Sequence, residues 1–496
     1  MVARNIPTRF KKLSKVYVEQ NPTYEQFSKK SGDVEIIRVA PKNSGAVIEF
    51  KNKEKKVAFI KLAVTEVETG KVAYEESRIY SHEANFFEAE KLVNGVDYLA
   101  EIIVCEKDFS ERCRSNARLF TPGFFPGKVV NYLHQADLTF ANYGKILGAP
   151  FIARFSNGDY VASHDYEAFG IATKTRSDFF ISKNYGKSWA YASSLSSGVN
   201  TLFVHNDVLY ALGMDISTGD LLISASDDEA TTWKGPVIIA KGTERKGYRP
   251  TPNTFAHYNG RFWFYVGAGE YDKDDEYNYT AFTASIDENE DFLNPDAWVI
   301  TESIKYDQTW KDAPPRWDPS MLEEGNVVVA LDGELKVISR CNSHRYDAPE
   351  LSPKMTYAVM FKVDKDNPEK PLEFERMIPF NGGLHKFFIQ YDEKSKAYYA
   401  LVNRMTNGHI WQRNVLSLAK SEDLIKWEFV RDLINLEDME WYEEDWDAAF
   451  QYPTFFIEND DIVAVVRTAL NGAENFHNNN CMTFHRFKKF KDEYKF

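Results

Sequence analysis

A turn motif that recurs along this chain constrains its fold more than any other feature. Ser182-Lys-Asn184-Tyr-Gly186-Lys-Ser188-Trp189 returns as Ser226-Asp-Asp228-Glu-Ala230-Thr-Thr232-Trp233. It returns again as Ser421-Glu-Asp423-Leu-Ile-Lys-Trp427, and in ragged form as Ser285-Ile-Asp287 followed by Trp298. An Asx side chain folds back on the backbone, a glycine takes positive φ, and a tryptophan buries against the neighbouring sheet. Each copy follows a β run such as DFFIS (178–182) or DLLISAS (220–226) and precedes another. A unit of strand, turn and strand that repeats in this way is the mark of a repeat architecture.

The motif resembles the Asp-box, S-x-D-x-G-x-T-W, of sialidase-type propellers. That resemblance makes the boxes structural and keeps their residues out of any active site. Blades then centre on about 147–190, 199–240, 250–303, 324–378, 385–430 and 449–488. Six blades fit the length; seven, with 128–147 counted into another, is the second arrangement. Radial repetition also removes exposed sheet edges from an all-β domain. Upstream, candidate strands at 34–40, 46–50, 57–65, 85–89, 97–105 and 117–121 alternate like a small sandwich. Residues 95–123 resemble the last two strands of a fibronectin type III-like module, and Gly123-Phe-Phe-Pro-Gly127 reads as a junction. The expectation is all-β: a fibronectin III-like β-sandwich over 1–128 and a six-bladed sialidase-like β-propeller over 129–496. Two domains suit 496 residues.

A net charge of −14 with no Lys/Arg stripe argues against nucleic acid and anionic membranes as partners. The four cysteines form no CxxC and no Cys/His cluster with zinc spacing, so no metal is expected. Cys105 and Cys113 could pair across a turn if oxidised; free thiols are the expected state. The basic N-terminus lacks the apolar core of a signal peptide and no stretch approaches a membrane span. A cytoplasmic location, or removal of an export signal, follows as the expectation.

Chemistry concentrates first in Glu324–Arg340, EGNVVVALDGELKVISR. Val327–Val329 and Leu335–Ile338 read as two strands around the Asp332-Gly333 hairpin signal. The hairpin returns Arg340 to the end where Glu324 enters, placing an acid and a guanidinium at one mouth. The spacing Glu324, Asp332-Gly333, Leu335, Arg340 resembles a pattern of the sialidase superfamily of glycoside hydrolases, a resemblance that covers roughly 140–490. It implies a second arginine at Arg413, in QRNVLSLAKSEDLIKW, and a tyrosine nucleophile at Tyr452, in FQYPTFFIENDD. A neutral phenol is not repelled by an acidic sugar as a carboxylate nucleophile would be, and Glu324 would take its proton. Arg340 and Arg413 would hold an acidic group as planar forks. The acid/base would be a first-blade carboxylate, Asp165, with Asp178 and Glu167 in reserve, its pKa raised.

One departure is visible. The family's first-blade arginine falls on Gly148, in Gly148-Ala-Pro150-Phe-Ile152, which leaves Arg154 or Arg176 as substitutes and moves the substrate from sialic acid toward a uronic acid or a deoxy sugar. Arg249, Arg316, His385, Arg404 and His477 are further candidates for the cup, and Trp441 or Trp446 for stacking on sugar. The expected function is an exo-acting glycoside hydrolase acting on a glycan or oligosaccharide without a cofactor. A propeller polysaccharide lyase acting on a uronate and a non-catalytic carbohydrate-binding propeller are the alternatives.

Overall fold

The computed structural model describes residues 30–81, 85–137, 139–140, 142–167, 174–317, 319–343, 355–406, 410–439 and 447–491. Six antiparallel sheets follow one another along the chain at 146–195, 198–240, 246–305, 325–379, 388–435 and 449–487. The strands nearest the ring axis touch between blades 1 and 2, 3 and 4, 4 and 5, and 5 and 6; Val208–Met214 of blade 2 meets Lys246–Arg249 of blade 3; and the last inner strand, Ala449–Glu458, touches the first, Phe151–Arg154. That closes a six-bladed ring. The sixth sheet takes its outermost strand, Lys128–Tyr132, from ahead of the first blade. Residues 128–132 therefore complete blade 6, which decides the blade count at six.

Burial explains which strands were legible. In blade 5 the second strand, Ala397–Asn403, is buried throughout, whereas the outer strand, Glu428–Asn435, is largely exposed and reads as polar. One apolar cluster joins Phe151, Leu202, Phe388 and Phe450 near the axis and fills the spaces between blades 1 and 2 and blades 5 and 6, and others fill the remaining four spaces. The repeated turns lock these spaces. Ser182 Oγ accepts from Gly186 N–H at 2.8 Å and Asn184 Oδ1 accepts from Ser188 N–H at 2.8 Å. Ser226 and Asp228 repeat both bonds, with Ala230 at φ 61° where the first copy has Gly186 at 82°. Each tryptophan then packs on the preceding blade: Trp189 on Phe484, Trp233 on Phe179 and Trp427 on Phe380, at 5.4, 4.6 and 5.0 Å between ring centres. The ragged copy departs: Trp298 stays within its own blade against Phe264.

Ahead of the ring, Val34–Lys42, Gly45–Asn52 and Phe86–Glu90 form one sheet; Val72–Ile79, Phe59–Glu66, Tyr98–Cys105, Glu111–Arg114 and Arg118–Phe120 form a second. Both contribute to one core, from Ile36, Ile48 and Phe87 on one side to Leu62, Ile102 and Phe120 on the other. Val72–Ile79 has no counterpart among the expected strands because, at an edge, neither of its faces is fully buried. Arg38 ties this part to the ring: it pairs with Glu49 at 2.7 Å and donates to the carbonyls of Val130 and Trp189. All four cysteines are free and buried. Among the described residues no helix is long and apolar enough to cross a membrane.

Candidate active site

Because adjacent strands run antiparallel, every blade begins its first and third strands and ends its second on one face of the ring. The third strands end on the other face, which carries the repeated turns and separates them from the site. Asp165, Glu324, Arg340, Arg413 and Tyr452 all fall at or near strand ends of the first face.

Glu324 precedes the inner strand of blade 4, and Arg340 ends the strand beside it. The Arg340 N–H donates to the Glu324 carbonyl at 2.7 Å, and its guanidinium donates to Glu324 Oε2 at 2.9 Å. The same nitrogen lies 3.2 Å from Glu323 Oε2, and Nε donates to the Leu384 carbonyl. Arg340 is thus shared by two carboxylates. Burial pushes the Glu324 carboxyl up, while Arg340 and the neighbouring Tyr452 hydroxyl pull it back.

Tyr452 sits where the inner strand of blade 6 loses register between Gln451 and Thr454, with φ at 50°. A tyrosine in the left-handed region stores about 1–3 kcal/mol, so the surroundings must hold it there. Lys386 does part of this: buried in the lead-in to blade 5, it donates Nζ to the Pro453 carbonyl at 2.6 Å. Burial lowers Lys386 to about 7 against the pull of Glu324. Burial and Glu324 also raise the Tyr452 phenol, against Arg340 and Arg413, so it is neutral until a base takes its proton.

Arg413 comes from just ahead of the third strand of blade 5. It donates to Gln451 Oε1, its Nε is buried without a partner, and no carboxylate of the described residues pairs with it. Burial lowers its guanidinium to about 10, with Arg340 and Arg467 adding to the effect. Asp165 supplies the acidic counterpart. It is 1% exposed, neither carboxyl oxygen has a hydrogen-bond partner, and burial with Glu167 nearby raises it to about 8 against the pull of Arg467.

Arg467 was not singled out in the sequence. It is buried in the second strand of blade 6, with its guanidinium 5.1 Å from the centre of the Tyr452 ring. Nε donates to Asn479 Oδ1 at 2.8 Å, Nη2 to the His477 carbonyl at 2.7 Å, and Nη1 lies 3.4 Å from Glu167. It therefore joins the tyrosine of blade 6 to the carboxylates of blade 1. The available signal was a lone arginine inside the apolar run DIVAVVRTAL (461–470). Lys386 carried the same signal, inside LHKFF.

The remaining candidates lie as follows. His385 is buried and spends Nε2 on the Ile410 carbonyl at 2.8 Å; burial and the two arginines keep it neutral, so it is structural. Arg404 pairs with Asp432 at 2.9 Å and lies over Phe429 on the outermost strand of blade 5. Arg316 lies 3.3 Å from Glu276 at the tip of a blade 3 hairpin, on the rim. His477 meets Arg467 through its backbone carbonyl. Arg249 is exposed, donates to the Tyr279 hydroxyl and feels the charge of Glu323 and Glu167, so it borders the site. Asp178 is bound by Arg176 and Tyr166, each at 2.7 Å, which withdraws both Asp178 and Arg176. Arg154 ends its strand on the opposite face beside Glu458. Trp441 and Trp446 lie outside the described residues. Neither candidate replaces the arginine expected at Gly148.

No protein-family model and no curated protein matches this sequence. Among solved structures, it is similar to a Hadza microbial sialidase, with a TM-score of 0.48 and 12% identity over 93% of this chain and 95% of that one. It is similar to a Trypanosoma rangeli sialidase in complex with 2,3-difluorosialic acid, with a TM-score of 0.47 and 12% identity over 77% of this chain and 56% of that one. An N-acetylgalactosamine deacetylase from F. plautii has a TM-score of 0.39 at 12% identity, over 73% of this chain and 94% of that one.

Proposed function

We propose that the chain is an exo-acting glycoside hydrolase that removes a terminal acidic or deoxy sugar from a glycan through a tyrosine nucleophile. The observation that carries this reading is that the Tyr452 phenol and the Glu324 carboxyl face each other closely enough for each to shift the other's acidity, in a buried, arginine-lined face. A carboxylate beside a neutral phenol is the arrangement that generates a phenolate during attack. Tyr452 Oη attacks the anomeric carbon as Glu324 takes its proton. Asp165, held protonated at neutral pH, gives its proton to the departing oxygen. The sugar is left covalently bound to Tyr452; Asp165, now a carboxylate, takes a proton from the water that attacks the anomeric carbon, and the bond to the Tyr452 oxygen breaks as that oxygen recovers its proton from Glu324.

Electrostatics supports an acidic sugar. Glu323 and Glu324 neutralise Arg340, and Glu167 pairs with Arg467. Arg413 keeps an uncompensated charge and an unused N–H, which a substrate carboxylate would take up.

The test is hydrolysis of an aryl-glycoside panel covering sialosides, uronides and deoxy sugars, with wild type and Tyr452→Phe. Turnover of one sugar that falls at least about 1,000-fold in the variant is expected for loss of a nucleophile. Equal turnover in both proteins would remove Tyr452 from the mechanism. Products from a uronate polymer that absorb in the ultraviolet would replace hydrolysis with elimination.

A further inference from the structure

Blade 3 differs from the other five. Its second and third strands, Arg261–Tyr271 and Tyr277–Asp287, have 11 residues each, whereas those of the other blades have between 6 and 9. At about 3.3 Å per residue, the surplus carries this hairpin roughly 10 Å beyond a blade of ordinary length. The second strand ends on the face that holds the site, so the surplus stands as a wall at the rim of the cup.

One side of the wall has a specific composition. Gly267 pairs with Ala281, Gly269 with Tyr279 and Tyr271 with Tyr277, so these six positions share a face. Arg249 lies opposite Gly267 on the adjoining strand. The face begins beside Glu323, the neighbour of Glu324: a β-carbon on Gly267 would be 3.0 Å from the Glu323 carbonyl. At Gly269 a β-carbon would meet the Tyr277 hydroxyl at 2.0 Å, so the missing side chain is what lets that ring lie flat along the sheet. From Glu323 outward the surface reads Arg249, Tyr279, Tyr277, Tyr271. The Arg249 guanidinium is 5.2 Å from the Tyr279 ring centre, and successive rings are 5.7 and 5.1 Å apart. Tyr277 and Tyr271 are 36% and 46% exposed. Arg316, bonded to the Tyr277 carbonyl, and Arg245, paired with Asp275, brace the tip.

The structure assigns this tyrosine face a function: we propose that it binds the saccharide attached to the sugar being cleaved, so that the substrate is an oligosaccharide of at least three units. The inference rests on the hydrolase reading above. Pyranose rings present C–H faces that lie on aromatic rings, and their hydroxyls take hydrogen bonds from phenols and guanidinium groups at the edges. Rings in a row suit a linear chain of sugars better than a single ring. The face is continuous with the site at Glu323 and runs along the hairpin to its tip, a path that a leaving saccharide would take out of the cup.

The decisive measurement is the ratio of kcat/KM on a trisaccharide to that on the aryl glycoside of the same terminal sugar. We expect Tyr277→Ala to lower this ratio at least tenfold, mainly through KM of the trisaccharide, and Tyr271→Ala, at a more exposed position, to lower it in the same direction. Equal losses on both substrates, or no loss on either, would overturn the assignment. A second arm needs no turnover: retardation of Tyr452→Phe protein in gels containing soluble mucin glycans, compared with the same protein carrying Tyr277→Ala. Loss of retardation supports the subsite, and unchanged or absent retardation overturns it. If the wild type cleaves nothing but is retarded through Tyr277, the hydrolase reading fails and the glycan-binding face stands.

Discussion

The carboxyl group of Asp165 lies against the α-carbon of Gly148: a β-carbon built on Gly148 would sit 2.2 Å from Asp165 Oδ1. The Gly148 N–H also donates to the Asp165 carbonyl at 2.6 Å. The space that a side chain at position 148 would enter is therefore filled by the Asp165 carboxyl. We predict that Gly148→Ala costs about 1–3 kcal/mol in urea unfolding, as overpacking does, and lowers kcat by displacing the carboxyl. In an Asp165→Ala background the same substitution should cost less, because the clashing group is gone. Equal costs in both backgrounds would show that the contact does not govern the site.

Asp165 also gives a pH dependence of known sign. Its pKa is raised from 3.8 to about 8, so the folded state holds a proton that the unfolded chain releases. The resulting stability is fully present below pH 3.8 and is lost as pH rises through about 8. Activity that needs the protonated acid should fall along an alkaline limb centred near pH 8. Asp165→Asn should lower the rate on a poorly activated leaving group by about 100- to 10,000-fold, the range for a general acid. It should also flatten the decline in unfolding free energy between pH 5 and 8.5. An alkaline limb unchanged in that variant would move the acid role elsewhere.

Blade architecture was legible in the sequence because a turn that must satisfy Asx geometry and bury a tryptophan leaves its residues in fixed order. The Glu324–Arg340 hairpin was legible for the same reason, as local pairing across Asp332-Gly333. Arg467 and Lys386 were not, because their partners are far away in the chain: Glu167 lies 300 positions from Arg467 and Pro453 lies 67 from Lys386. His385 shows the reverse error. It has a reactive side chain at a plausible place, but the Ile410 backbone carbonyl, which no local pattern announces, takes its one N–H.

Arg467 offers a test of how the tyrosine is supported. Its three partners come from two segments, residues 477–479 and Glu167 of blade 1, and a lysine, with one compact ammonium group, cannot reproduce that planar set of contacts. Arg467→Met leaves Glu167 without its cation and Tyr452 without the ring-facing guanidinium. We expect a loss of about 1–3 kcal/mol in unfolding free energy, the range for leaving buried partners such as Asn479 without their donor, because Glu167, 27% exposed, stays partly solvated. Arg467→Lys should recover only part of it. Full recovery by lysine would reduce the role of Arg467 to charge alone.

Lys386 allows the strain at Tyr452 to be tested directly. Its Nζ is the donor that holds the Pro453 carbonyl, one residue beyond the left-handed tyrosine. Lys386→Met retains the length and volume of the stem and removes the donor, so the peptide after Tyr452 loses its anchor. We expect kcat to fall about tenfold, equivalent to about 1.4 kcal/mol, with KM changed less, since the substitution disturbs orientation rather than ground-state binding. The stability signature has the opposite sign to that of Asp165. The folded pKa, about 7, lies below the unfolded value of 10.5, so the unfolded chain binds the extra proton between them. Wild-type stability should therefore rise from pH 7 to 10 by this contribution, and Lys386→Met should lack that rise. A variant with unchanged kcat and an unchanged alkaline rise would free the tyrosine bulge from Lys386. Loss of the rise with unchanged kcat would confine the lysine to stability.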